Sequence, residues 1–393
     1  MKTRLILIIL LLSCLGGYAQ NTKDDIIFRA MEDEMQRSLD SLTYKDHPKA
    51  FFISYALYDT DYLSIYSSIG GLDGSDEDFN RSWGIRLMLG DYDLNDENYE
   101  NWDYSLYSSS GYGEVEMPID NDYLAMRKSW WLLTDNIYRR AVKAYERKLK
   151  TIEEHSLEGN ELLLPDFSRE DTHHLILDHP EYTFDRKALE EKMNALSGAC
   201  LLLPGITYSH ASLMHNKSDA YLLNSEGTRF KVPLDKCTLS LNLTTEDTNK
   251  REFEESMSII CQNPDQLPEN ELIMEEAGKL AEFLLASVQA PKMDEDYSGP
   301  VLIEGQPAAH MLCNSLFAGE GQFIAERQAL IDNTDNVYFN PLENNLQRKY
   351  NKKVLPADIS ISVYPRLQEY NGIPLLGASY IDYEGVVPPD TIL

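Results

Sequence analysis

The sequence predicts an α+β fold, and two observations lead there. Several long segments place apolar residues on one face at helical spacing. Between them, Gly205 to Asn242 reads as a β-meander, four short alternating segments broken by polar turns.

The first 19 residues read as a secretory leader rather than fold. Lys2 and Arg4 form a basic start, Leu5 to Leu12 is an apolar run too short to span a bilayer, and Gly17-Tyr18-Ala19 fits a small-x-small cleavage site. The rival reading is a lipoprotein anchored through Cys14. Either way the expectation is an exported protein, periplasmic or extracellular, without a transmembrane span.

Ile26 to Leu42 follows as a helix, with Ile27, Ala30, Met31, Met35, Leu39 and Leu42 on one face. Phe51–Leu57 and Tyr62–Ile69 read as two strands joined near Asp59-Thr60-Asp61. Gly70 to Asn80, rich in Gly and Asp, reads as a loop or a long hairpin connection, and Arg81 to Leu89 as the next strand. Asp91 to Gly113 is acidic, Tyr-rich and expected to be irregular. Asn121 to Glu154 is the longest helical pattern. Its Arg139, Arg140, Lys143, Arg147, Lys148 and Lys150 read as a solvated face or as salt bridges to an acidic remainder. Pro165 to Glu181 is a connector and Phe184 to Leu196 another amphipathic helix.

In the meander, strands are expected near Ile206–Leu213, Ser218–Asn224, Arg229–Pro233 and Thr238–Leu243. Asn224-Ser225-Glu226-Gly227 is its tightest turn signal, because Asn and Gly tolerate positive φ. Glu271 to Val288 is a helix. Pro291 to Ser298 is a polar linker, which divides the chain into residues 20–290 and 291–393. Beyond it the order expected is strand, helix (Gln306–Phe317), helix (Gly321–Ile331), a strand near Ile359–Val363 and a Gly-rich turn leading to a last strand.

Composition narrows the function. The formal charge is −30, and loss of Lys2 and Arg4, the only charges in the leader, takes it to −32. Binding to nucleic acid needs basic surface to neutralise phosphates, so it is not expected. Four cysteines follow the leader: Cys200, Cys237, Cys261 and Cys313. An even count permits disulfides in an exported chain, but the wide spacing gives no framework. Cys200 and Cys313 sit in apolar runs and read as buried thiols. None of the eight histidines is followed by Glu, so no His-Glu-xx-His or His-Glu-xxx-His motif is present. Asp171, His173, His174, Asp178 and His179 form the densest metal-capable cluster, read as polar residues of a connector.

Several segments, in order, resemble the TldD/PmbA family of metallopeptidases and modulators of DNA gyrase. They are Ser82–Asp91 (SWGIRLMLGD), Pro165–Ser168 (PDFS), Tyr221–Thr228 (YLLNSEGT), Gly299–Phe317 and Gly372–Val386 (GIPLLGASYIDYEGV). The resemblance implies a zinc motif on the helix within the fourth segment. Aligned on Val301-Leu302 and Gly305-Gln306-Pro307, the metal and base positions fall on Leu312, Cys313 and Phe317. Leu and Phe cannot coordinate zinc, and Cys cannot replace Glu as a general base. His310 precedes the Leu312 position by two residues, a rotation of about 200° on a helix, which points it to the opposite face. A displaced zinc site would have to use His310, Cys313 and Glu304.

The resemblance thus implies an N-terminal sheet-and-helix domain and a β-rich C-terminal domain, the latter expected to be cut short at Leu393. It implies the branch without the zinc motif, the PmbA (TldE) kind: a non-catalytic partner or peptide-channel subunit. Its partner would be a TldD-like catalytic subunit or a second copy, and its substrate an unfolded peptide. The alternatives are a metallopeptidase with a degenerate or displaced zinc site, and an inactive remnant.

Overall fold

The computed structural model describes residues 25–101, 115–154, 165–199, 203–291, 296–316, 330–332, 337–339, 353, 355–382 and 384–391. The leader, Cys200 and Phe317 lie outside the described residues. The fold is α+β, built on a seven-stranded, mostly antiparallel sheet.

Two long strands form the spine of that sheet. β1 (Ala50–Ser68) pairs antiparallel with β5 (Ile206–Asn224), each 19 residues long. β2 (Gly71–Leu89) pairs with the other side of β1. The free side of β5 is shared. Its first half pairs with β7 (Lys236–Glu246), which carries β8 (Glu252–Cys261), while its second half pairs with β6 (Arg229–Pro233), which carries the short parallel β4 (His174–Ile176). β3 (Tyr99–Asn101) belongs to a separate small sheet with β9 (Leu330–Asp332) and β10 (Val337–Phe339).

The structure corrects three expectations here. Asp59-Thr60-Asp61 is continuous strand, not a break. Arg81, paired with Asp59 across the ladder, sends Nε and Nη2 to its two carboxylate oxygens at 2.6 Å each, and Thr60 Oγ1 meets Ser218 Oγ at 2.8 Å. Those partners satisfy the polar side chains that would otherwise favour a turn. For the same reason Ile206–Leu213 and Ser218–Asn224 are one strand. Gly70 to Asn80 is not a loop: all but its first residue lie in β2, held by the register with β1 and with side chains turned largely to solvent. β8 adds a strand that was not expected, although Phe253, Met257, Ile259 and Cys261 alternate through it.

Four helices cover one face of the sheet. α1 (Ile26–Ser41) starts at Asp25, whose Oδ1 accepts from the backbone N–H of Ile27 (2.9 Å) and Phe28 (3.4 Å). With α2 (Tyr123–Glu154) it packs on Ile53, Tyr55, Leu57, Tyr221 and Leu223. Trp130 stacks on Tyr55 with centroids 4.6 Å apart, and burial pushes the Tyr55 phenol up to about 12. α3 (Arg186–Ala199) and α4 (Asn270–Val288) pack on Leu63, Ile65, Leu213, Leu239 and Leu241. These strand positions are all odd-numbered, so alternation puts both helix pairs on the same side. On the opposite side Ala220, Leu222, Phe230 and Val232 bury against Ile381 and Val387 of the C-terminal segment.

Beyond residue 296 the order differs from expectation. α5 (Gly305–Leu316) is present, but Leu330 and Ile331, expected in a helix, lie in β9; residues 321–329 of that expected helix are outside the described residues. Ile359–Val363 forms no strand; the following ladder is the two-residue pair β11 (Glu369–Tyr370) and β12 (Ile373–Pro374). No helix among the described residues is long and apolar enough to cross a membrane.

Candidate functional site

Four of the segments that carry the family resemblance meet at one end of the sheet. The centre is the β5–β6 turn. Asn224 Oδ1 accepts from the N–H groups of Glu226 (3.1 Å) and Thr228 (3.0 Å), and Gly227 takes a φ of +103° that disfavours a side chain. Ser225 then locks the turn to β1: its N–H donates to Ile53 O at 2.8 Å and its Oγ accepts from Ile53 N at 3.0 Å.

Around this turn the other segments dock. Tyr92, just beyond β2, donates its hydroxyl to Glu226 at 2.6 Å. Burial, and then the Glu226 charge, push that phenol up to about 12. Asp166 and Phe167 donate their backbone N–H groups to Asp93 O (3.1 Å) and Tyr92 O (2.9 Å), and the Phe167 ring meets Phe52 at 4.8 Å. Gly385 arrives from the C-terminal segment. Its φ is +91°, and a Cβ there would lie 3.0 Å from Thr228 Cγ2 and 3.3 Å from Asn224 Nδ2, so only glycine fits without displacement. Asp382 Oδ1 shapes this approach by accepting from Glu384 and Val386 N–H, each at 2.9 Å.

Arg86 binds three of these parts together. It makes a two-pronged bond to Glu97 (Nε–Oε1 2.7 Å, Nη2–Oε2 2.5 Å), its Nη1 pairs with Glu384, and its guanidinium lies 5.1 Å from the Phe167 ring centroid. Burial works against its charge, but Glu97 and Glu384 outweigh that and hold the guanidinium above its ordinary range. Nearby, Lys148 of α2 is buried. Its Nζ donates to Glu97 O and Asp166 Oδ2, both at 2.6 Å. Asp166 Oδ2 also accepts from Asn95 N at 2.8 Å.

Beside Arg86 a recess of about 460 Å³ opens between β2, residues 96–99 and α2, lined among others by Ile85, Asp96, Tyr99, Ile137 and Arg140. Asp96 accepts from Leu89 N at 2.6 Å. Burial nevertheless pushes its carboxyl up to about 7, beyond what that bond and Lys148 restore. The lining of the recess mixes apolar side chains with the ionisable Arg86, Asp96, Glu97 and Arg140.

The residues singled out on the motif helix sit elsewhere. Glu304, His310, Leu312 and Cys313 are exposed on or beside α5. Cys313, expected to be buried, is an exposed thiol, because α5 turns no face into the main core. Among the described residues no three His, Cys, Asp or Glu side chains gather as metal ligands. Of the connector cluster His173 and His179 are half-buried: the His173 backbone N–H donates to Thr228 Oγ1 at 3.1 Å, and His179 has Nδ1 3.0 Å from Asp235 and Nε2 3.1 Å from Asp219. Nδ1 hydrogen-bonds the Asp235 carboxylate, whereas Asp219 Oδ1, close to Nε2, is buried without a hydrogen-bond partner among the described residues.

Sequence reasoning passed over Arg86, Asp96 and Glu97. A signal existed for Arg86, a lone cation within the apolar run Trp83–Leu89. For Lys148 the reading as a cation salt-bridged to the acidic remainder holds, but its spacing carried no sign of its burial or of Asp166 as the partner.

No family model matches the chain, and no curated protein matches it. Solved structures do. One is a protein named as a modulator of DNA gyrase from Thermotoga maritima, 9% identical, with a TM-score of 0.39 over 62% of this chain and 46% of that one. Another, of the same description from Bacteroides thetaiotaomicron, is 13% identical with a TM-score of 0.39 over 66% and 49%. A third is TldE from Thermococcus kodakarensis, 8% identical with a TM-score of 0.36 over 66% and 47%. The chain thus spans about half the length of the solved structures it matches. The names they carry are those of the family whose motifs the sequence resembles.

Proposed function

We propose that this protein is a TldD/PmbA-type subunit without hydrolytic activity of its own, which contributes a peptide-binding surface or a partner surface to an assembly with a TldD-like catalytic subunit. The observation that carries the reading is the meeting of Ser82–Asp91, Pro165–Ser168, Asn224–Gly227 and Gly372–Val386 at one end of the sheet. Segments matched separately along the sequence behave as parts of one built unit: Arg86, Tyr92, Phe167, Glu226, Glu384 and Gly385 interlock there. The scaffolding of the family is kept, while the positions of its zinc motif read Leu312 and Cys313, followed by Phe317. A Leu offers no lone pair to zinc and Cys313 is no substitute for a general-base carboxylate.

The recess beside Arg86 gives the reading a place to act. Extended peptides carry alternating side chains and backbone donors and acceptors, which suit a half-apolar recess with fixed charges. Export after loss of the leader is part of the proposal and sets where a partner must be sought.

The test is direct. The purified chain, alone and saturated with zinc, is incubated with an unfolded polypeptide, with and without a chelator. No cleavage is expected in either case, and a TldD-like subunit added to the chain should restore it. Chelator-sensitive cleavage by the chain alone would overturn the proposal in favour of a displaced site, and loss of that activity on His310→Ala or Cys313→Ala would locate it.

A further inference from the structure

Two of the cysteines are brought together by the fold in a way their spacing gives no hint of. Cys237 opens the paired part of β7 and Cys261 ends β8, and the ladder sets them directly opposite each other. Both turn toward the face that packs α3 and α4: Cys237 is buried among Leu239, Leu241 and their neighbours, and Cys261 is half-buried against the same cluster. Opposed residues of an antiparallel pair have Cα atoms about 4.5–5.5 Å apart. A disulfide accepts roughly 4.4–6.8 Å. The register of the ladder therefore sets the two backbones within the range that the bond spans.

We infer that Cys237 and Cys261 are a redox-active pair that closes a cross-strand disulfide and so fastens β8 to the sheet. The site is independent of the reading given under Proposed function. The two thiols interact, and Cys261 Sγ also donates to Asn263 O at 3.2 Å. The contact with Cys237 draws the Cys261 thiol below its ordinary value, while the same contact and burial push Cys237 up. Cys261 is also the more accessible of the two, so it is the thiol that meets an external oxidant.

With a small-molecule disulfide as oxidant, the Cys261 thiolate attacks one sulfur and releases the other as a thiolate, leaving a mixed disulfide. Cys237 then loses its proton to water and attacks the Cys261 sulfur, expelling the second small thiolate. The protein loses two hydrogens, and the oxidant is reduced to two thiols. What the bond would hold is the outermost strand of this side of the sheet. Among the described residues β8 pairs with β7 alone, and it leads directly into the turn before α4.

The experiment uses the full chain and oxidised glutathione. After incubation the reaction is acid-quenched, the chain is unfolded, remaining thiols are alkylated, and the digest is mapped by mass spectrometry. The expected result is one linked peptide pair containing Cys237 and Cys261, loss of two free thiols, and an unchanged Cys313. Cys313→Ser should leave the linkage intact, while Cys261→Ser should abolish it. Cys237→Ala serves as a second variant, and circular dichroism checks that each variant is folded. Full alkylation of both Cys237 and Cys261 after oxidation, or their linkage to Cys313 or to a second chain instead, would overturn the inference.

Discussion

Lys148→Met tests whether the buried ion pair at the sheet end holds the converging segments together. The side chains of Lys148 and Asp166 are 3% and 2% exposed, and Nζ stands 2.6 Å from Oδ2. Methionine keeps the length and packing of the stem but removes the charge. Asp166 would keep the N–H of Asn95 and the more distant Asn98 amide at 3.5 Å but lose the cation that neutralises its buried charge. Breaking such a pair from one side costs about 3–5 kcal/mol, far more than an exposed pair is worth. Glu97 O would also lose a donor. The assay is equilibrium urea unfolding followed by tryptophan fluorescence, since Trp130 lies in the core that α2 builds. Adding Asp166→Asn removes the stranded charge, so the double variant should recover about 2–3 kcal/mol relative to the sum of the singles. A loss below about 1 kcal/mol in Lys148→Met, or strict additivity, would mean that water already reaches the pair and would refute the reasoning.

Three further outcomes are expected. Asp96 is held by burial at about 7, above its unfolded value, so the stability it contributes is fully present below about pH 4 and is lost as pH rises through 7. Asp96→Asn should flatten that slope and raise stability at pH 8 by about 1–2 kcal/mol, read from urea midpoints across pH. Gly385→Ala forces a Cβ against Thr228 at a φ of +91° and should cost about 1–3 kcal/mol, with faster protease nicking of the segment after Pro374. Closing Cys237–Cys261 constrains a loop of roughly 25 residues, for which chain entropy gives about 3.5 kcal/mol in the unfolded state; the oxidised chain should therefore melt above the reduced one.

The four helices that pack on the sheet were legible because their signal is local. The spacing of Ile27, Met31 and Met35, or of Trp130, Leu133 and Ile137, states which face must be buried, and each of those faces is buried. The Asn224–Gly227 turn was legible for the same reason: its positive φ and its Asx bonds are made within five residues. The absence of any His-Glu pair is likewise a property of the sequence alone.

Other features belong to partners distant in sequence. Asp59-Thr60-Asp61 reads as a turn until Arg81 and Ser218 are placed beside it. The glycines and acids of Gly71–Asn80 read as loop, and only the ladder to β1 makes them strand. Lys148 reads as a cation of a solvated face or of a salt bridge to the acidic remainder, and only the fold shows that the pair is with Asp166 and buried. Cys237 and Cys261 read as unrelated thiols until β7 and β8 pair. Periodicity records which side of an element avoids water, so the sequence by itself settled the elements whose burial is one-sided and local. It does not record which buried group or ladder edge will lie opposite, and that choice, which built the sheet end, the recess and the thiol pair, was made only by tertiary contact.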